Sequence, residues 1–299
     1  MSVCLAAICL QQHPAKMIDR RIVALADMRV SHGDYSNENA ATKGLWLPRN
    51  WFALYAGNDV APARPIVDAV SKIITERKNT LETMTTAFEQ AYKEHLSKTA
   101  ANKVLGRWNI DMKTFLEKGR EYFGEDVFDN MCAQIERVKL EITFLVIGFD
   151  TYEVPHIFTV SNPGLAEVRD EPGYWAIGNG DFAAVNMLCF FEQNVSKSSI
   201  HTVYHAFVAK FMAESATDVG RRTWGWMLSP KGYQMMVPEL DGKLRAVWQQ
   251  HVPKVVPSEA HKDILWAFNE MNEFDRTTVG PVRKHIEEMR KKRTKNKKR

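Results

Sequence analysis

The stretch VCLAAICL, residues 3–10, decides the fold because it is apolar on both faces of a strand. A strand without a polar face is typical of the centre of a sheet that is covered above and below. A second apolar strand, IVALA, occupies residues 22–26. Residues 43–47 and 51–55, separated by Pro48-Arg49-Asn50, predict a β-hairpin. We therefore expect the chain to open with four antiparallel strands that are neighbours.

The remaining elements follow from hydrophobic periodicity and from capping residues. Helices are predicted at 65–78, from a cap at Asn79 or Thr80 to about 104, at 115–140 with a break at Gly124, from an N-cap at Asp181 through 191, and from Ser198 or Ser199 to about 214. Strands are predicted at 142–149, 155–160, 174–177 and 222–228. This order predicts an α+β fold in which two antiparallel sheets stack face to face and helices cover both outer faces, a four-layer αββα sandwich.

The length of 299 residues and an apolar fraction of 45% are sufficient for a large core. We expect the sandwich to span residues 2–229, with a helical insertion at about 105–140. A helical C-terminal extension is expected at 230–289, and a basic disordered tail at 290–299. Because eight tail residues are Lys or Arg, subtracting their charge from the net charge of +4 leaves −4 for the rest of the chain.

The composition argues against several classes of function. No apolar run reaches the ~20 residues that span a bilayer, and no secretory signal pattern opens the chain. Four scattered cysteines without C-x-x-C spacing favour free thiols in a reducing compartment, so we expect a cytoplasmic protein. The histidines form no metal motif and no phosphate-binding glycine loop is present, so neither metal nor cofactor is expected. The tail lacks interleaved aromatic residues, which favours a solubilising or docking role over nucleic-acid binding.

Ser2 is the candidate nucleophile. We expect Met1 to be removed after synthesis because the next side chain is small, which would leave a serine with a hydroxyl and a free α-amine. A hydroxyl beside an N-terminal amine is one of the ways in which proteins build acyl-transfer enzymes. Cys4 would compete as a nucleophile only if the chain were cut before it. The plain alternative is that Ser2 is an ordinary N-terminal residue.

The chain resembles proteasome β-type peptidases and their bacterial relatives, which are N-terminal-nucleophile hydrolases. The likeness rests on Ser2 at the start of a strand, on Ala26-Asp27-Met28-Arg29 at the end of the next strand, on Lys43, and on Ala56-Gly57. Asp27 and Lys43 lie sixteen positions apart and Lys43 and Gly57 fourteen, as in that family. The segment Ala176-Ile177-Gly178-Asn179-Gly180 is similar to the family's glycine-serine-glycine turn before a helix.

The resemblance implies a catalytic set of Ser2, Asp27, Lys43 and Gly57. Lys43 would stabilise a developing alkoxide, Asp27 would orient Lys43, and the Gly57 N–H would bind the oxyanion. Alternatives are a loop role for Asp27 and a turn role for Gly57. The substrate would be a peptide or protein.

Three further residues, Arg29, Asn179 and Glu214, are expected to support the catalytic set. Arg29 would brace the loops and Asn179 would help hold the Ser2 amine. Glu214 with Val219-Gly220 would replace the family's missing Asp-x-x-Ser. Relatives form homo-oligomers, often rings, and some need an unfoldase. The alternative is an inactive scaffold or assembly subunit that binds a partner through the insertion and the tail.

Overall fold

The structure is a computed structural model that describes residues 2–12, 18–32, 35–37 and 43–251. The chain separates into two compact units, Met1–Ala246 and Val247–Arg299. The predictions for Met1, for the tail at 290–299 and for most of the extension at 230–289 lie outside the described residues. Within the described ranges, no helix combines the length and apolar character needed to cross a membrane.

The secondary structure is that of an α+β protein. The strands are β1 (Val3–Gln12), β2 (Ile18–Asp27), β3 (Val30–His32), β4 (Tyr35–Asn37), β5 (Gly44–Leu47), β6 (Trp51–Gly57), β7 (Ile142–Phe149), β8 (Pro155–Ser161), β9 (Leu165–Val168), β10 (Tyr174–Gly178), β11 (Thr223–Ser229) and β12 (Gly232–Met235). The helices are α1 (Ala63–Ile74), α2 (Leu81–Ala100), α3 (Met112–Phe123), α4 (Glu125–Arg137), α5 (Asp181–Phe190), α6 (Ser199–Ala213) and α7 (Glu239–His251).

The strands form two five-stranded antiparallel sheets and a small β3–β4 hairpin. The first sheet has the order β10-β1-β2-β11-β12, and the second has the order β5-β6-β7-β8-β9. Within the first sheet, Leu5 of β1 faces Leu25 of β2 and Ala176 of β10. β1 is therefore a central strand, as its apolar faces predict. The four opening strands are antiparallel pairs, but they are divided between the two sheets, so the expectation that all four are neighbours is wrong.

An apolar cluster joins the facing surfaces of the two sheets. Ala6 and Ala24 of the first sheet and Leu54 and Leu145 of the second belong to this cluster and are fully buried. The other face of the second sheet packs against the apolar stripes of α1 and α2, while α5 and α6 pack against the first sheet. This packing is compatible with the predicted sandwich.

The helix boundaries follow local chemistry. The Thr80 hydroxyl accepts a hydrogen bond from the Thr83 N–H and begins α2, and the Ser198 hydroxyl begins α6 in the same way. Gly124 separates α3 from α4, as predicted. The expected N-cap Asp181 is instead the first residue of α5, and the N-cap is Gly180. β10, which ends shortly before α5, pairs with β1, so its last residue, Gly178, lies opposite Val3 at the start of β1.

Candidate active site

A buried ion pair lies at the end of the first sheet where β1 begins. β2 ends at Asp27, and Lys43 directly precedes β5. The Lys43 Nζ lies 2.8 Å from the Asp27 Oδ1, and the two residues are 5% and 0% exposed. The Tyr55 N–H donates to the Lys43 carbonyl oxygen at 3.1 Å and fixes this lysine against β6. The pair therefore bridges the two sheets in an environment where an unpaired charge would be costly.

Three backbone N–H groups complete the surroundings of the Asp27 carboxylate. The Val3 N–H donates to Oδ1 at 2.8 Å. The N–H groups of Arg29 and Gly220 donate to Oδ2 at 3.1 and 3.0 Å. With the Lys43 ammonium, these donors use the acceptor capacity of both carboxylate oxygens. Asp27 thus holds the start of β1, the turn after β2 and the segment before β11 in one place.

Ser2 lies next to the Asp27–Lys43 pair because the residue that follows it, Val3, is hydrogen-bonded to Asp27. It is 2% exposed and precedes Val3, whose N–H contacts Asp27. Val3 faces Gly178 at the end of β10. A Cβ at Gly178 would lie 2.2 Å from the Ser2 carbonyl oxygen, and its φ of +97° also favours glycine. Glycine at this position therefore allows β10 to approach the backbone of Ser2.

Gly57 closes the same region from the second sheet. It ends β6 opposite Ile142, and a Cβ on it would lie 2.0 Å from the Glu141 carbonyl oxygen. This close approach is a packing reason for glycine. The neighbouring Ala56 Cβ would be 3.1 Å from a Cβ at Gly178, so the end of β6 also borders the backbone around Ser2.

The predicted supporting residues have different surroundings. The Asn179 amide donates to the Thr217 carbonyl oxygen at 3.4 Å. The Glu214 carboxylate binds the Lys210 ammonium at 2.6 Å and both terminal nitrogens of Arg245 at 2.7 Å. These Glu214 contacts connect α6 to α7. The roles expected for Asn179 and Glu214 toward Ser2 remain predictions, and Gly220 from the same segment reaches Asp27.

Cys4 lies close to the ion pair with its thiol protonated. Burial raises its pKa to about 12; the charge of Lys43 lowers it and that of Asp27 raises it, both by less. The Sγ donates to the Tyr55 carbonyl oxygen at 3.4 Å. Because the thiolate is the nucleophilic form of cysteine, this residue is unsuited to attack a carbonyl at neutral pH.

Sequence reasoning missed two contacts of the site. Gly220 was expected only as part of a replaced motif, whereas its N–H binds Asp27 across 193 positions of the chain. Gly178 was interpreted as a turn glycine, whereas it borders the backbone of Ser2. The glycine at the end of the apolar strand Tyr174–Gly178 was a sequence signal that another part of the backbone approaches closely there. The sequence carried no comparable signal for Gly220.

Comparisons with known proteins were made for the whole chain. No family model and no curated protein matches it. The residues of the site and the sequence resemblance are therefore the basis for assigning a function.

Proposed function

We propose that the protein is an N-terminal-nucleophile amide hydrolase, a peptidase, in which Ser2 is the nucleophile. The observation that carries the proposal is the buried pair of Asp27 and Lys43, whose shared Oδ1 also binds the N–H that follows Ser2. A buried cation beside a serine backbone is costly to maintain, and it is useful where an alkoxide and an oxyanion form.

The proposed reaction has two half-reactions. The Ser2 Oγ attacks the carbonyl carbon of the substrate while its proton moves to the Ser2 α-amine, a base with a reference pKa of about 7.7–8.0. The tetrahedral intermediate then expels the leaving amine, which takes the proton from the α-ammonium, and an ester to Ser2 remains. Water repeats the sequence in the second half-reaction and releases the acid.

The remaining residues have roles in preparing these steps. Lys43 disfavours protonation of the α-amine and stabilises the alkoxide, and Asp27 orients Lys43. The Gly57 N–H is the proposed oxyanion donor. Arg29 braces the turn through its own N–H contact with Asp27. Asn179 and Glu214 are proposed to position the segments that lead to the site.

The proposal includes a four-layer αββα arrangement with the nucleophile between the sheets. Its support is the apolar cluster shared by both sheets, with helices packed on their other faces. It also includes assembly into a cytoplasmic homo-oligomer. Phe182 and Phe190 of α5 are each 77% exposed and Ile200 of α6 is 81% exposed, which is a large apolar surface for an isolated subunit.

The second candidate function is an inactive scaffold, which the helical insertion favours. Its helices have a small core of their own around Phe115 and Phe128. Trp108, Leu116 and Tyr122 are exposed nearby. Such aromatic surface is typical of a site that binds another protein.

Turnover of fluorogenic peptide amides distinguishes the two functions. Wild type and Ser2→Thr should release the fluorophore, while Ser2→Ala should not. Ser97→Ala, which removes an exposed hydroxyl from α2, is the matched control and should behave as wild type. Turnover that persists in Ser2→Ala would contradict the proposed nucleophile. A mature chain that retains Met1 would favour the scaffold, because Ser2 would then have no free amine.

A further inference from the structure

A cavity of about 380 Å³ lies at the same end of the first sheet as Ser2. It is lined by Met28 after β2, by Arg222, Thr223 and Trp224 of the β11 segment, and by Pro238 and Asp241 at the start of α7. Its volume is within the range of small-molecule sites. None of these residues has a part in the reaction proposed above.

The sheet register places this cavity at the level of the nucleophile. Ala26 of β2 faces both Cys4 of β1 and Trp224 of β11. Residues directly opposite each other in an antiparallel sheet share a face, and alternation along β1 puts Ser2 on the face of Cys4. One strand, β2, separates β1 from β11, so the β11 side of the cavity wall, with Arg222 and Trp224, is about 10 Å from β1, the strand that follows Ser2. That distance is covered by about three residues of an extended peptide.

Two of the residues that line the cavity carry donors without an acceptor in the described part of the protein. Trp224 Nε1 is buried and has no hydrogen-bond partner among the described residues. Arg222 is exposed and carries no ion pair within those ranges. The Asp241 carboxylate, in contrast, already binds the Thr223 hydroxyl at 2.7 Å and lies 3.5 Å from Arg245. A buried donor without an acceptor is uncommon and indicates a missing partner.

The other residues of the cavity wall indicate the chemical character of the missing ligand. Met28, Pro238 and the Trp224 ring provide an apolar surface, so an apolar group with an attached carboxylate would satisfy both the surface and the donors. We propose that the cavity is a substrate subsite for the C-terminal residue of a peptide, with an apolar side chain and a free carboxylate, about three residues beyond the bond that Ser2 cleaves. This inference rests on the proposed hydrolase for the position of that bond.

Binding to the full-length Ser2→Ala variant tests the subsite without turnover. Isothermal titration calorimetry would compare N-acetyl-L-phenylalanine with N-acetyl-L-phenylalaninamide, which differ in the carboxylate. The acid should bind about tenfold more tightly or better, because a charge-assisted hydrogen bond contributes at least that much. Arg222→Gln should remove the preference, while Arg20→Gln, an exposed arginine of β2, should keep it.

Trp224→Phe keeps an aromatic ring and removes the N–H, so it should weaken binding of the acid several-fold. If this variant does not fold, the exposed Arg222 still tests the inference. Equal binding of acid and amide, an unchanged preference in Arg222→Gln, or acetate binding as tightly as the acid would overturn it. Because no hydrolysis is measured, a failed subsite is distinguishable from a failed nucleophile, which peptide turnover reports.

Discussion

The cost of unpairing Asp27 is the most direct structural consequence of the site. Lys43→Met removes the ammonium 2.8 Å from a fully buried carboxylate and replaces it with an apolar chain. Breaking a buried ion pair costs about 3–5 kcal/mol, because the remaining charge is left in a medium of low polarity. Asp27 keeps three backbone donors, from Val3, Arg29 and Gly220, so we expect a loss near the lower end, about 3 kcal/mol.

The double variant Asp27→Asn/Lys43→Met isolates the role of the charge. It replaces the unpaired carboxylate with a neutral amide. The nitrogen of that amide then faces a backbone N–H group, so the site loses about one hydrogen bond. We expect the double variant to be more stable than Lys43→Met by about 1–2 kcal/mol. Urea unfolding followed by circular dichroism at pH 7 measures both, and Lys72→Met on the exposed face of α1 is the control, with a change within about 0.5 kcal/mol. A loss under about 1 kcal/mol, or a double variant less stable than the single one, would refute the reasoning.

Three other predictions follow from the same region and its surroundings. Gly178→Ala should abolish peptide turnover, because its Cβ would lie 2.2 Å from the Ser2 carbonyl oxygen; unchanged turnover would contradict this packing. Cys4 should resist iodoacetamide at pH 8 in the folded protein and react after denaturation, since burial raises its pKa to about 12; mass spectrometry of the peptides decides the point. Burial lowers the pKa of His156, but the hydrogen bond and charge of Asp170 outweigh it and the pKa is raised. The stability from this histidine is therefore complete below pH ~6.5 and is lost as the pH rises through the raised value, so His156→Gln should destabilise more at pH 6 than at pH 8; equal losses would contradict this.

The elements with a continuous apolar pattern could be predicted from the sequence. Residues 3–10 were expected to be a central strand and form β1, which pairs on both sides. The edge strands β9 (LAEV) and β12 (GYQM) were missed because each is only four residues long, too short for a periodic pattern to be distinguished from a loop. The division of the opening strands between two sheets was also missed, since hydrophobic pattern specifies which faces are buried and leaves strand partners undetermined.

The candidate site shows the same limit. The sequence resemblance implied that Asp27 orients Lys43, and in the structure the Lys43 Nζ lies 2.8 Å from the Asp27 Oδ1. The hydrogen bond from the Gly220 N–H to Asp27 forms because β11 pairs with β2. The two residues are 193 positions apart in the chain, and no local sequence pattern specifies such a distant contact. The Glu214 interaction with Arg245 involves α7, which lies in the predicted helical extension, but a helical pattern does not specify which residue of another helix it will contact.

The central claim is that Ser2 is an N-terminal nucleophile with a free amine. An epoxyketone warhead forms a ring with both the hydroxyl and the α-amine, so labelling of the purified protein, read by intact mass and peptide mapping, tests both groups together. We predict a single adduct on Ser2 that is absent from Ser2→Ala. A protein that has lost Met1 and still forms no adduct would contradict the hydrolase and favour the scaffold.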